Sequence, residues 1–291
     1  MTNPSLSWNI LWDARQLLAY PFMVQALLAG TIAAVLSGVL GWYMVLRRQT
    51  FAGHTLSAMA FPGATGGLLF GLPGALGYYI ACVVAALAMT RRGTSRGGTP
   101  GLQSAQIGTV QAVGLAAGFL FLSLSSGILG GLDDLLFGSF LGITPAQVLA
   151  LAVVAVVVLG TLAWIGRPLL FASLDPEAAQ ALGLPVRALE IGFMLLLGLT
   201  VAATTQITGA LLVFALLVTP PATAQRLSSR PGWSLVLSVG CALLVIWLSL
   251  GAAYFSIYPL GFFTTSIGFA LYLIALAGTS IARRRRGVQP A

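Results

Sequence analysis

The chain has 291 residues, 58% of them hydrophobic, and carries only 14 Lys+Arg and 6 Asp+Glu. A soluble domain carries about 25% charged residues, so composition excludes a water-covered surface, and with it a soluble enzyme, a disordered tail or a nucleic-acid binder. The net charge of +8 comes from arginines set in short clusters between apolar runs, the pattern of a polytopic membrane protein rather than a nucleic-acid footprint.

From the amino terminus, residues 1–21 hold Trp8, Trp12, Asp13, Arg15 and Tyr20. Residues 5–20 predict an amphipathic helix lying in the outer membrane interface. No basic stretch leads into an apolar one there, so no cleavable signal peptide is expected. A spanning helix needs about 20 mostly apolar residues. Such runs occupy 22–46, 54–71, 74–90, 104–124, 145–166, 188–205, 208–225, 233–253 and 262–282, nine in all. The third is short and the seventh ends in Pro220 and Pro221, which makes both candidates for a kink or a partly re-entrant path.

Arginine placement checks that count. Arg47 and Arg48 follow the first run, and Arg91, Arg92 and Arg96 follow the third. Arg167 and Arg187 bracket the segment after the fifth, Arg226 and Arg230 follow the seventh, and Arg283 to Arg286 follow the ninth. Two runs separate successive clusters, so all fall on the cytoplasmic side and only Arg15 lies outside. The expectation is an all-α polytopic bundle of nine spans, or eight with one run in the interface. The amino terminus is out, the transmembrane body covers 22–282, and residues 283–291 form a basic cytoplasmic tail. Gly63, Gly67 and Gly71 on the second run, and Gly114 with Gly118 on the fourth, predict faces for close helix packing. Cys82 and Cys241 sit inside apolar runs and read as small buried hydrophobes.

Two segments carry polar chemistry. The first is Phe51-Ala-Gly-His54-Thr-Leu-Ser-Ala58-Met59-Ala-Phe-Pro62-Gly63, which holds the single histidine. His54 offers an imidazole suited to first-row metals and Met59 a soft thioether, but one histidine does not close a metal site. Asp133 and Asp134 read as solvated loop charges. The second segment is cytoplasmic, 167–187. Within it Asp175 suits an N-cap, Pro176 the first helical position, Glu177 the positive end of the helix dipole, and Gly183 a left-handed C-terminal cap. These predict a sharply bounded helix of about two turns, built on Ala178, Ala179, Ala181 and Leu182, either a plain loop helix or the element that docks a motor subunit. Of the Asp, Glu, His and Arg residues, only Glu190 and His54 fall within the runs, both near an end, so a proton-coupled secondary transporter is disfavoured. The chain has no lysine and therefore no phosphate-binding Gly-x-x-x-x-Gly-Lys-Ser/Thr loop, and it is not expected to be an enzyme.

These segments, in this order, resemble the membrane permease of metal-ion ABC importers, the zinc/manganese/iron family called ABC-3. The resemblance runs through Gly41 to Arg48, Gly53 to Gly63, Asp134-Leu-Leu-Phe-Gly138, Asp175 to Gly183, Gln206-Ile-Thr-Gly209 and Thr219-Pro-Pro-Ala-Thr-Ala224, covering about 22–282. It implies a type II importer fold in the bacterial cytoplasmic membrane, with the permease surrounded by lipid and paired, as a homodimer or with a second permease. It also implies cytoplasmic ATPase subunits that bind the ATP and an extracytoplasmic metal-binding protein that delivers the ion. No cofactor is held permanently; zinc or manganese, with iron also possible, is the cargo. The family commonly reads Gly-Asp-x-Leu-Ser-His-Ala, with its Asp and His linked to the metal path. Here the Asp position holds His54 and the His position holds Ala58, which reduces the pair to one imidazole that dimerisation would duplicate. The resemblance makes Asp175 to Gly183 the coupling segment. A cobalamin- or siderophore-type ABC permease is the alternative within transport.

Overall fold

In the computed structural model, residues 19–90, 100–125, 142–256 and 258–285 are described. Among them lie eleven helices: α1 Pro21–Leu46, α2 Thr50–Ala58, α3 Ala60–Leu69, α4 Gly74–Thr90, α5 Pro100–Leu124, α6 Pro145–Leu174, α7 Pro176–Ala181, α8 Val186–Thr208, α9 Ala210–Leu227, α10 Pro231–Tyr254 and α11 Leu260–Arg285. No strand occurs among the described residues. The interfacial helix expected over 5–20, the arginines at 91, 92 and 96, Asp133, Asp134 and the 134–138 motif lie outside the described residues.

Six described helices are long and apolar enough to cross a membrane: α1, Ser104–Leu124 of α5, α6, Val186–Gln206 of α8, α10, and Leu260–Ile281 of α11. The other three expected runs are shorter. Run 54–71 is divided between α2 and α3, and Ala75–Thr90 and Leu212–Leu227 are apolar helices of 10–17 residues. A straight helix of that length reaches at most about 26 Å, less than the hydrocarbon thickness of about 30 Å. Pro220 and Pro221 lie inside α9, which continues through them.

The chain divides into two compact units. The first takes 1–45, 140–148 and 215–291, the second 46–139 and 149–214. In the first unit α1 is held by backbone proximity. A Cβ on Gly38 would lie 2.9 Å from the Val239 Cα of α10, and one on Gly41 would overlap the Leu217 carbonyl oxygen of α9. That carbonyl has no helical donor four residues on, because Pro221 lacks an N–H. Polar ties fix the register. Trp42 Nε1 donates to Ser234 Oγ (3.0 Å), Ser238 Oγ to the Gly38 carbonyl (2.7 Å), and Gln225 Nε2 to the Trp42 carbonyl (2.9 Å).

In the second unit α3 packs on α4 and α5, and α8 packs on α4 and α2. The expected small-residue faces are where neighbouring helices approach closely. A Cβ on Gly63 would stand 2.7 Å from the Gly77 carbonyl oxygen, and Gly114 and Gly118 receive the Met59 and Phe61 side chains. Gly71 departs from that expectation: nothing approaches it, and its φ of +64° makes it the turn that ends α3. Cys82 is buried and its thiol donates to the Leu56 carbonyl (3.6 Å), as a small buried residue would.

Candidate functional site

His54 falls in the middle of α2 rather than opening a long span. The helix stops at Met59, whose N–H is shared between the carbonyls of Thr55 and Leu56, and α3 starts at the next residue. Most of α2 is buried within its unit, with Ala52, Gly53, Thr55, Leu56 and Ser57 closed off. Phe51, His54, Ala58 and Phe61 are not. Their spacing of three and four residues places them on one stripe, so His54 and Ala58 share the partly open face. The His54 ring packs edge-on against Phe214 at 4.8 Å, and its Nδ1 is buried with no hydrogen-bond partner among the described residues. A buried imidazole nitrogen left unpaired is costly, and a cation or a polar ligand would satisfy it.

Met59 does not join it. The two side chains are five positions apart on a helical path, about 140° around the axis. Met59 is buried toward Gly114 of α5. The thioether fills the space that glycine leaves, a packing role in place of the expected soft ligand.

Sequence reasoning missed a hydroxyl face on α8. Thr200, Thr204 and Thr208 recur every four residues and are fully buried, with Thr205 beside them. Thr204 and Thr208 donate to the carbonyls four residues back, while Thr200 Oγ1 and Thr205 Oγ1 have no hydrogen-bond partner among the described residues. Gln206 closes the row, donating to the Ala202 carbonyl (3.2 Å) and bonding Tyr79 of α4. Gly209 then ends the helix with φ +80°. The signal was available as Thr-x-x-x-Thr-Thr-x-x-Thr, hidden by the apolar residues around it. Among the described residues no three His, Cys, Asp or Glu come together as a metal cluster.

The second candidate segment folds as its caps dictate. Asp175 accepts from the Ala178 N–H (2.9 Å) and Pro176 occupies the first turn of α7. At the other end the Gly183 N–H bonds the Gln180 carbonyl and the Leu184 N–H the Ala179 carbonyl, both at 3.0 Å. With Gly183 at φ +80°, this is a Schellman cap. Helix α6 continues past the apolar run 145–166, through Pro168 to Leu174, because buried Leu169 and Ala172 outweigh the single bond proline removes. Ala179, named with Ala178 and Ala181 for the docking helix, is 0% exposed, and α7 packs on α8. The outward face is instead Glu177, Gln180, Ala181 and Leu182, the last 73% exposed.

Arg47, a topology marker in the sequence and part of the Gly41–Arg48 stretch, makes several polar contacts near α7. Its Nη1 donates to Ser173 Oγ (2.8 Å), its Nε to Gln49 Oε1 (3.3 Å), and its guanidinium lies 5.3 Å from the Phe193 ring centroid. Burial lowers its pKa and the nearby Glu190 charge raises it.

These features define a multi-pass helical membrane protein whose polar groups are concentrated at a broken helix, a threonine face and a short capped helix. The chain belongs to the ABC 3 transport family, whose model matches residues 19–279. Its role is transport rather than catalysis, in the bacterial inner membrane. The chain is 30% identical over 270 residues to the manganese transport system membrane protein MntC of Halalkalibacterium halodurans, covering 92% of this chain and 90% of that protein. It is 32% identical to the chelated iron transport system membrane protein YfeC of Yersinia pestis, over 82% of this chain and 79% of that one. With the high-affinity zinc uptake system membrane protein ZnuB of Haemophilus influenzae the identity is 26%, over 76% and 85%. The fold is shared with a solved structure of PsaBC from Streptococcus pneumoniae in complex with Fab, at a TM-score of 0.79 and 24% identity over 91% of this chain and 95% of that one.

Proposed function

We propose that this chain is the permease subunit of an ATP-driven importer of a first-row divalent metal, manganese or zinc, with iron the third candidate. The family and relatives named for manganese, iron and zinc support the cargo class. The observation that carries the coupling role is α7: a helix capped at both ends, braced inward by Ala179 and offering Ala181 and Leu182 outward. Such an element passes force without fraying. A cytoplasmic ATPase docks on that face, and its ATP-driven movement shifts α7 and the helices attached to it. The metal reaches the permease from an extracytoplasmic binding protein and passes the partly open stripe of α2, where His54 supplies a neutral imidazole. A second permease copy supplies a second imidazole. Nine passes, formed by α1, the α2–α3 pair, α4, α5, α6, α8, α9, α10 and α11, put α7 in the cytoplasm and the amino terminus outside.

Imidazole with oxygen donors suits Mn²⁺ and Zn²⁺. The test is vesicles holding the permease and its ATPase, given Mn²⁺ or Zn²⁺ through the binding protein. Uptake is expected to require ATP, and His54→Ala is expected to lose most of it while the ATPase stays bound. Wild-type uptake by an assembled His54→Ala complex would remove histidine from the path. ATP-independent uptake would overturn the importer reading.

A further inference from the structure

The turn between α1 and α2 is built around Arg47, Arg48 and Gln49, and only the middle residue faces out. Arg48 has φ +56°, a left-handed conformation that a non-glycine residue adopts at a cost. Arg48 is exposed, whereas Arg47 is half-buried and Gln49 is 8% exposed. The turn therefore directs a charged side chain inward, an arrangement that needs compensation.

The compensation comes from three different elements. Ser173 is in the last turn of α6, two residues before the Asp175 cap; it accepts from Arg47 and donates on to the Leu169 carbonyl. Gln49, which accepts from Arg47 Nε, is the residue from which α2 begins. Phe193, fully buried on α8, lies beneath the guanidinium, and Glu190 one turn earlier supplies the opposing charge. One planar cation thus joins the segment entering α7, the helix on which α7 rests, and the start of the helix that carries His54. A planar fork bonds in two directions while its face stacks on a ring; an ammonium does not.

We propose that Arg47 is a positioning residue that joins the α7 dock to the His54 helix, so that displacement of α7 is delivered to α2 rather than absorbed in the turn between α1 and α2. This rests on the reading of α7 as the ATPase dock. Without the joint, α6, α7 and α8 would still move on ATPase closure, but α2 would follow only through its apolar packing. The predicted defect is slippage: ATP is hydrolysed and metal is not carried.

The experiment measures ATP hydrolysis and uptake of Mn²⁺ or Zn²⁺, whichever the wild type accumulates, in the same vesicles holding permease and ATPase. Arg47→Gln, Arg47→Lys and Ser173→Ala are compared with wild type. In Arg47→Gln the ATPase is expected to co-purify and turn over, while metal carried per ATP falls about tenfold or more, in line with loss of hydrogen bonds to a charged group. Arg47→Lys and Ser173→Ala should fall in between. A merely structural role would reduce the yield of assembled complex and leave metal per ATP unchanged. An unchanged ratio in assembled Arg47→Gln overturns the proposal. If that variant does not assemble, an unchanged ratio in Ser173→Ala, which removes one hydroxyl, overturns it. A Leu182→Glu permease run in parallel separates the two readings. If it keeps a bound, metal-transporting ATPase, the dock itself is wrong; if it loses the ATPase while Arg47→Gln keeps its ratio, only the joint is.

Discussion

Replacing Leu182 by glutamate isolates the docking role of α7 from its folding. Leu182 is 73% exposed, and its structural duty is a backbone bond from its N–H to the Ala178 carbonyl (3.0 Å), which a side-chain change leaves intact. Folding of the permease should therefore change by no more than about 0.5 kcal/mol. Docking is different. Burying a leucine side chain yields about 1.5–3 kcal/mol, and because most of Leu182 is still exposed, about 1–2 kcal/mol of that is available to the ATPase interface. A glutamate forces an unpaired charge into the same contact and adds a penalty of about 2 kcal/mol or more. The sum, about 3 kcal/mol at least, is a loss of more than about a hundredfold in affinity. Co-purification from detergent, with the melting temperature of the isolated permease as control, reads both quantities. An unchanged ATPase affinity in Leu182→Glu would refute the assignment of this face. The same change at Ala179 is uninformative, since that residue is 0% exposed and a glutamate there would disrupt the fold and the dock together.

Three further outcomes follow from the geometry. Asp175→Ala removes the acceptor for the Ala178 N–H and should loosen α7 by about 1 kcal/mol, with Asp175→Asn retaining most of the cap; hydrogen exchange at residues 177–181 reports it. Gly77→Ala should destabilise the second unit by several kcal/mol, because the new Cβ overlaps the Gly63 carbonyl oxygen and backbone must move; the control Gly160→Ala, with nothing within 4 Å, should melt like wild type. In a background with Cys82→Ala and Cys241→Ala, cysteines placed at Leu182 and at Tyr258 should label from opposite faces of the membrane; labelling from one face contradicts nine passes.

The sequence by itself determined the solvent, the helical class and the limits of α7. Those are local or compositional properties: a 58% hydrophobic chain has no surface for water, and Asp175, Pro176 and Gly183 act on backbone groups within a few residues of themselves. Glycine spacing also showed which faces approach closely, though not that Gly71 was a turn, since its φ depends on where the next helix begins. Tertiary structure decided which side of each helix faces a neighbour. It turned Ala179 inward and Leu182 outward, sent Met59 to Gly114 and away from His54, and buried the threonine face of α8. It also brought Arg47 to Ser173, 126 positions away in sequence. A charge at the end of an apolar run looks the same whether it meets headgroups or a buried serine, because its partners come from helices that only packing places beside it.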